Sequence, residues 1–297
     1  MKVENRYIYI VLASLALAGS VAAGVFVYAG GYDTSALKQH TALVYQIMTT
    51  VRSRSVAVRS DFSTPDLDEV DWQNAGILQY ENNCRQCHGA PGRPPDSFSL
   101  GMKPAPTAIV ELARRRTPQE IYHVIEHGIK MTGMPAWAYR MSAAEMWQVV
   151  AVIKQVANMT HDDYDRLLRQ ARAQTTDVAT AQTQNLLQRA TAEESAFPQA
   201  DETGSQVSIG KVAFQQYNCV SCHVIPGITA ARTNVGPPLE DVTRRSYIAG
   251  VLAYSDDNLV RWIRSPTAID PDTLMPDLGV SEAHARAMLA YLKSVAQ

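Results

Sequence analysis

The residues of this chain best suited to chemistry are its four cysteines, which fall into two copies of one pattern. Residues 84–88 and 219–223 both read C-x-x-C-H, and no cysteine is left over. In such a motif the two thiols bond covalently to the vinyl groups of a haem, and the adjacent histidine is brought to the iron. The sequence therefore predicts two covalently bound haem c groups. Their attachment residues are Cys84, Cys87, Cys219 and Cys222, and their first iron ligands are His88 and His223.

Other uses of paired cysteines fit the sequence less well. The cysteine pairs of a structural zinc site usually lie about 15 to 20 residues apart, whereas these lie at 84–87 and 219–222. Thioredoxin-like dithiols belong to βαβ units, for which the sequence has no pattern. A disulfide within each pair would leave the histidine that follows both pairs unexplained.

Two methionines are the candidates for the sixth iron ligand, which decides between electron transfer and chemistry at the iron. Met134 and Met275 each precede a proline and lie in a loop before the last predicted helix of their half of the chain. Such a loop is free to turn a thioether inward, and a soft sulfur donor raises the haem potential. In the first half Met131 is a rival to Met134, and Met102 is a weaker one.

The elements that position these residues are predicted to be helices. Thr117 and Ser142 each begin a capping box, and the helix after Thr117 should end near Gly128. Ser255 and Ser281 begin two more helices in the second half. No segment shows sustained alternation of apolar and polar residues, so the fold class is predicted to be all-α.

The amino terminus predicts a membrane anchor at residues 1–32. Residues 7–29 carry no charge, which matches the roughly 20 apolar residues that a bilayer-spanning helix needs. Lys2 and Arg6 precede this run, and positive flanks favour the cytoplasmic side. We expect a single-pass protein of the inner membrane that contacts lipid through this helix, with its amino terminus in the cytoplasm and the rest in the periplasm. The alternative is a long cleavable signal ending near Ala22.

The remaining chain divides by composition. We expect a juxtamembrane helix and connector at 33–70, a first haem domain at 71–160, a linker at 161–205 and a second haem domain at 206–297. The linker is rich in Ala, Gln, Thr and acids, so it should be helical early and flexible late. The formal net charge of −2 gives no general attraction to nucleic acid, and none is predicted as a partner.

Around these motifs the chain resembles two class I cytochrome c domains. That resemblance implies small helical folds in which the first and last helices cross. The segment from Tyr80 to Trp137 resembles bacterial cytochromes often found with respiratory chains, and residues 210–279 resemble the cytochrome domain fused to subunit II of some haem-copper oxidases. The copper-binding domain of that subunit is not in this sequence, so we expect a stand-alone donor or an accessory subunit.

The resemblance also implies residue roles around the haems. The region of Pro237 or Pro238 would supply the carbonyl that orients His223, and Trp262 would pack near a haem edge or propionate. In the first domain the matching proline is either Pro104 or Pro106.

These expectations point to an electron carrier and not an enzyme. The leading interpretation is a tethered relay from a quinol-oxidising complex or periplasmic dehydrogenase to a terminal oxidase. One alternative is the electron-accepting cytochrome subunit of a membrane dehydrogenase. A dihaem peroxidase would need an open sixth position on one iron, which two Met-Pro ligands argue against.

Overall fold

The computed structural model describes residues 2–185, 204–229, 231 and 235–296. Its first helix is long and apolar enough to cross a membrane. Residues Arg6–Tyr28 have a mean hydropathy of 2.3, and none of this stretch is buried within the protein.

The described elements are helices joined by loops, apart from one two-stranded hairpin. The α-helices in chain order are α1 (Lys2–Tyr28), α2 (Ala42–Arg59), α3 (Ile77–Asn83), α4 (Arg85–His88), α5 (Ile109–Arg115), α6 (Pro118–His127), α7 (Ala143–Val156), α8 (His161–Asn185), α9 (Gly204–Gln216), α10 (Asp256–Arg264), α11 (Pro266–Ile269) and α12 (Glu282–Val295). A π-helical turn (Trp72–Gly76) leads into α3, and short 3-10 turns occupy Ser97–Ser99, Cys219–Ser221 and Val242–Arg244. Strands β1 (Tyr247–Ile248) and β2 (Leu252–Ala253) pair antiparallel. The predicted all-α fold class is confirmed.

The predicted helix starts are confirmed by their hydrogen bonds. The Thr117 hydroxyl accepts from the Glu120 N–H at 3.2 Å, while the Glu120 carboxylate accepts from the Thr117 N–H at 3.1 Å. α6 then ends at Gly128, whose φ of 64° lies in the left-handed region that glycine tolerates. Ser142, Ser255 and Ser281 likewise accept from the backbone N–H three residues later.

The chain forms two compact units, one of residues 1–135 and 147–177 and the other of residues 136–146 and 178–297. Each unit has a close approach between the helix before its C-x-x-C-H motif and the last helix of its haem domain. A Cβ on Gly76 would lie 2.8 Å from the Gln148 carbonyl oxygen of α7, and one on Gly210 would lie 2.0 Å from the Ala287 carbonyl oxygen of α12. These helices cross backbone to backbone, as the resemblance implied.

The first unit extends into the predicted linker. Tyr164, Leu168 and Ala171 of α8 are buried, and the Tyr164 hydroxyl donates to the Glu81 carboxylate at 2.9 Å. Their spacing of four and three residues places them on one helix face. The linker is helical from its start, as expected, but its first turns belong to the core of the first unit. The predicted flexible part, after residue 185, lies mostly outside the described residues.

The second unit has a continuous apolar core. It is built from α9, α10, α12 and the hairpin, and Trp262 lies in it with 7% of its surface exposed. The segment 136–146 belongs to this unit, and Tyr139 packs against the core. The Tyr139 carbonyl oxygen accepts from the Tyr217 hydroxyl at 3.3 Å, and the Arg140 guanidinium donates to the Gln216 carbonyl at 2.7 Å.

Candidate haem-binding sites

Both C-x-x-C-H motifs fold into the same tight turn. The N–H groups of Cys87 and His88 donate to the Cys84 carbonyl oxygen at 3.1 and 3.0 Å. In the second motif the corresponding bonds to the Cys219 carbonyl oxygen measure 3.2 and 3.0 Å. Each turn therefore holds two thiols and one imidazole together, the geometry that covalent attachment of a haem requires.

The thiols are not arranged for redox exchange. All four cysteines are free and partly buried. Desolvation raises the pKa of the Cys84 thiol to about 12 and that of the Cys219 thiol to about 11. Dithiol oxidoreductases do the opposite, because they lower a thiol pKa to generate a nucleophilic thiolate. The dithiol interpretation is therefore disfavoured at both motifs.

The two histidines are oriented in the same way. The Nδ1 atom of His88 lies 2.7 Å from the Thr107 carbonyl oxygen, and that of His223 lies 2.7 Å from the Pro237 carbonyl oxygen. A carbonyl oxygen can only accept a hydrogen bond, so Nδ1 must carry the proton and Nε2 is left as the ligand atom. Burial also lowers the pKa of His88, although the hydrogen bond to the Thr107 carbonyl acts in the opposite direction. The lowered pKa favours the neutral ring that binds iron.

The carbonyl predicted from the resemblance is confirmed in the second domain, where it belongs to Pro237. In the first domain the acceptor is Thr107 and not Pro104 or Pro106. Every residue has a backbone carbonyl, so the residue types in this loop could not predict which carbonyl accepts from the histidine.

Glycine allows the backbone to approach the second histidine. A Cβ on Gly236 would lie 2.4 Å from Cε1 of His223, well inside van der Waals contact. Since only glycine lacks that atom, the loop before Pro237 can pass close to the imidazole and present its carbonyl. The residues present thus fit a histidine-ligated haem at this site.

The two candidate methionines share one local arrangement. The Met134 N–H donates to the Thr132 hydroxyl at 3.1 Å, and the Met275 N–H donates to the Thr273 hydroxyl at 3.2 Å. Both methionines are partly buried, and Met275 packs against the core of the second unit. Their assignment as iron ligands remains a prediction.

The rivals in the first domain are placed differently. Met131 is 91% exposed and has a φ of 57°, so its side chain points to solvent from a left-handed turn. Met102 is partly buried, and its sulfur lies 3.1 Å from the position of a Cβ on Gly133. Met102 therefore lines the same loop as Met134 and stays the nearer alternative.

Sequence reasoning missed the residues that hold these candidate ligands in place. Thr132 and Thr273 each stand two positions before a methionine, which gives the shared pattern T-x-M-P. That repeat is visible in the sequence and could have identified both residues. Thr107 offers no such signal, because it acts through its backbone.

Comparisons with known proteins agree with this geometry. Residues 71–153 match the family model described as cytochrome c oxidase, cbb3-type, subunit III, and residues 207–296 match the cytochrome c family model. No solved structure matches the chain.

Among curated proteins the chain is similar to several proteins named cytochrome c oxidase subunit 2. The one from Alkalihalophilus pseudofirmus is 32% identical over 96 residues, covering 32% of this chain and 27% of that protein. The one from Bacillus subtilis is 30% identical over 92 residues, covering 29% of this chain and 25% of that protein. The match thus spans about a quarter of the length of these relatives.

The two family matches each contain one C-x-x-C-H motif with its oriented histidine. Cytochrome c domains of this kind carry electrons through a covalently attached haem. The chain is therefore a dihaem cytochrome c, with one cytochrome c domain in each half and one covalent haem c in each domain.

Proposed function

We propose that this protein is a membrane-tethered relay that passes single electrons to a terminal haem-copper oxidase. Its electron donor would be a quinol-oxidising complex or a periplasmic dehydrogenase. The similarity to proteins named as oxidase subunits supports this acceptor, although each similarity covers only part of those proteins.

The observation that carries the proposal is the repeated Thr-x-Met arrangement. When bound, haem c supplies one-electron chemistry. Thr132 and Thr273 hold Met134 and Met275 in the same local geometry, and each site also presents an oriented histidine. An iron held by a histidine and a thioether would have no open coordination position, which would disfavour a peroxidase and leave electron exchange.

The proposed setting is the inner membrane. Helix α1 would be the single span, with Lys2 and Arg6 on the cytoplasmic side and both haem domains in the periplasm. The haem domains are proposed to span residues 71–160 and 206–297, with α8 completing the core of the first.

Co-purification from detergent-solubilised membranes tests the assignment of partners. We expect the tagged protein to bring down oxidase subunits, and its reduced form to be reoxidised by that oxidase. Recovery of a dehydrogenase without any oxidase would favour the alternative role as an electron-accepting dehydrogenase subunit. Carbon monoxide binding at either haem of the purified protein would argue against saturated iron and for a peroxidase.

A further inference from the structure

Helix α2 presents an apolar stripe to solvent. Leu43, Ile47, Val51 and Val58 are 68%, 50%, 59% and 74% exposed. Their spacing of four, four and seven residues places them on one face of the helix. Isolated exposed apolar residues need no explanation, but a continuous stripe on one face indicates an interaction surface.

The opposite face of α2 is the one that packs on the first unit. Thr49, Ser53 and Val56 are half-buried, and the Arg116 guanidinium approaches the Ser53 hydroxyl at 3.5 Å beside α6. A helix that serves only the core of its own domain would direct its apolar face inward. Here the half-buried residues are mixed in character, while the described part of the chain leaves the apolar stripe uncovered.

The charge on α2 itself has one sign. Helix α2 contains Arg52, Arg54 and Arg59 but no acidic residue, in a chain whose formal charge is −2, whereas Lys38 before the helix is paired with Asp33 at 2.7 Å. Arg54 is exposed and lies on the stripe itself, three residues after Val51. A protein groove that covered the stripe would have to bury this guanidinium, whereas a bilayer surface lets it extend to phosphate groups while its stem stays in apolar contact.

The stripe is also tethered near a bilayer by the proposed anchor. Helix α1 ends at Tyr28 and α2 begins at Ala42, and the residues between them, even fully extended, span at most about 45 Å. Tethering of this length gives α2 a high effective concentration at the membrane surface.

We propose that α2 lies in the interface of an anionic bilayer, with the face of Leu43, Ile47, Val51 and Val58 in the acyl boundary and Arg54 among lipid phosphates. This surface would hold the first haem domain against the membrane as a second attachment beside α1. The proposal rests on the proposed membrane anchoring. Helices of this kind combine an exposed apolar face with basic residues and bind through both.

Maleimide labelling of single introduced cysteines in the full-length dihaem protein tests this inference. The four natural cysteines are held by haem, so an added thiol is labelled alone. In nanodiscs of phosphatidylglycerol and phosphatidylcholine we expect Val51→Cys and Ile47→Cys to react at least tenfold more slowly with a water-soluble maleimide than Tyr45→Cys. Tyr45 is the matched control because it lies on the same helix, is 62% exposed and points away from the stripe.

The outcomes separate the two proposals. Equal labelling rates in discs that retain the protein would overturn the α2 inference while leaving the anchor intact. Protection seen only in native membranes, or only with several copies per disc, would also overturn it, in favour of a protein partner or a second copy.

If the protein does not stay with the discs, the proposed membrane anchoring is wrong. Pelleting with phosphatidylglycerol vesicles then decides. Binding that is lost in Val51→Asp but kept in Tyr45→Asp supports the inference, and no binding overturns it.

Discussion

Thr132 and Thr273 occupy the same place relative to a methionine in two halves of the chain that differ in most other residues. Each hydroxyl accepts the N–H of the residue two positions on, which fixes the methionine backbone in a loop that has few other constraints. The carbonyls of Thr107 and Pro237 orient the two histidines, so each proposed haem site has a held histidine and a held methionine. The proposed methionine ligands are thus held by a contact two residues away in the chain, whereas the histidines are oriented by carbonyls 19 and 14 residues further on.

Replacing Met275 by histidine should lower the potential of the second haem while keeping six ligands. A nitrogen donor stabilises the ferric state relative to sulfur, and axial ligands span roughly 0.8 V, so we expect a drop on the order of 0.1 to 0.2 V. A redox titration measures it, with Met131→Leu as a control that changes neither potential. An unchanged midpoint in Met275→His would show that Met275 is not a ligand.

His284 should make the stability of the second unit depend on pH. It is 4% exposed, its Nδ1 atom lies 2.9 Å from the Tyr217 hydroxyl, and its ring centroid lies 4.7 Å from that of Tyr139. Burial lowers the pKa of His284. The unfolded chain therefore binds a proton more readily than the folded one, so stability is complete above the unfolded pKa near 6.5 and falls as pH drops below it.

Urea unfolding at pH 7.5 and pH 5.5 measures this dependence. We expect the wild type to lose up to about 1.4 kcal/mol more than His284→Gln between these two values, because over this interval the unfolded histidine takes up on average about half a proton more than the folded one, and a full proton is worth about 1.4 kcal/mol per pH unit. Parallel pH curves for the two proteins would refute the assignment.

At the scale of elements, the crossing of α9 and α12 depends on Gly210. A Cβ at this position would lie 2.0 Å from the Ala287 carbonyl oxygen, and that atom is backbone that cannot rotate away. Gly210→Ala should cost about 3 kcal/mol, at the upper end for overpacking and more than the helix propensity it gains. Lys211→Ala, one residue on and exposed, should change the free energy of unfolding by less than about 0.5 kcal/mol. Similar values for the two variants would mean that the helices separate easily.

Sequence patterns predicted the helices well where the signal is local. Two helices begin with bonds between residues three apart, Thr117 with Glu120 and Ser142 with Glu145. Such a short pattern can be identified in the sequence alone. The burial of Tyr164 could not be predicted in this way, because it depends on α3 reaching α8 from far along the chain. The hairpin β1–β2 was also missed, since strands of two residues are too short to show an alternation of apolar and polar residues.

At the scale of the whole molecule, we expect residues 1–29 to remain in the mature protein. The span Arg6–Tyr28 buries nothing within the protein, so its apolar surface is available to lipid. Peptide mapping should recover the amino-terminal peptide, and the haem absorbance should stay with membranes after an alkaline carbonate wash. A mature terminus near Ala23 would instead mean a soluble cytochrome.

The contacts of α8 determine where this molecule can be divided. Arg93, five residues after His88, is held by Asp165 at 2.7 Å, and the hydroxyl of Tyr164 pairs with Glu81. A fragment cut at residue 153, where the family match ends, would lose those partners and uncover the apolar core beneath Leu168. A fragment of residues 71–153 should therefore aggregate, whereas one of residues 71–177 should aggregate less on gel filtration, because it keeps α8 although residues 136–146 lose their contacts with the second unit. Cutting the protein by sequence similarity alone would remove a helix that supports its first haem motif.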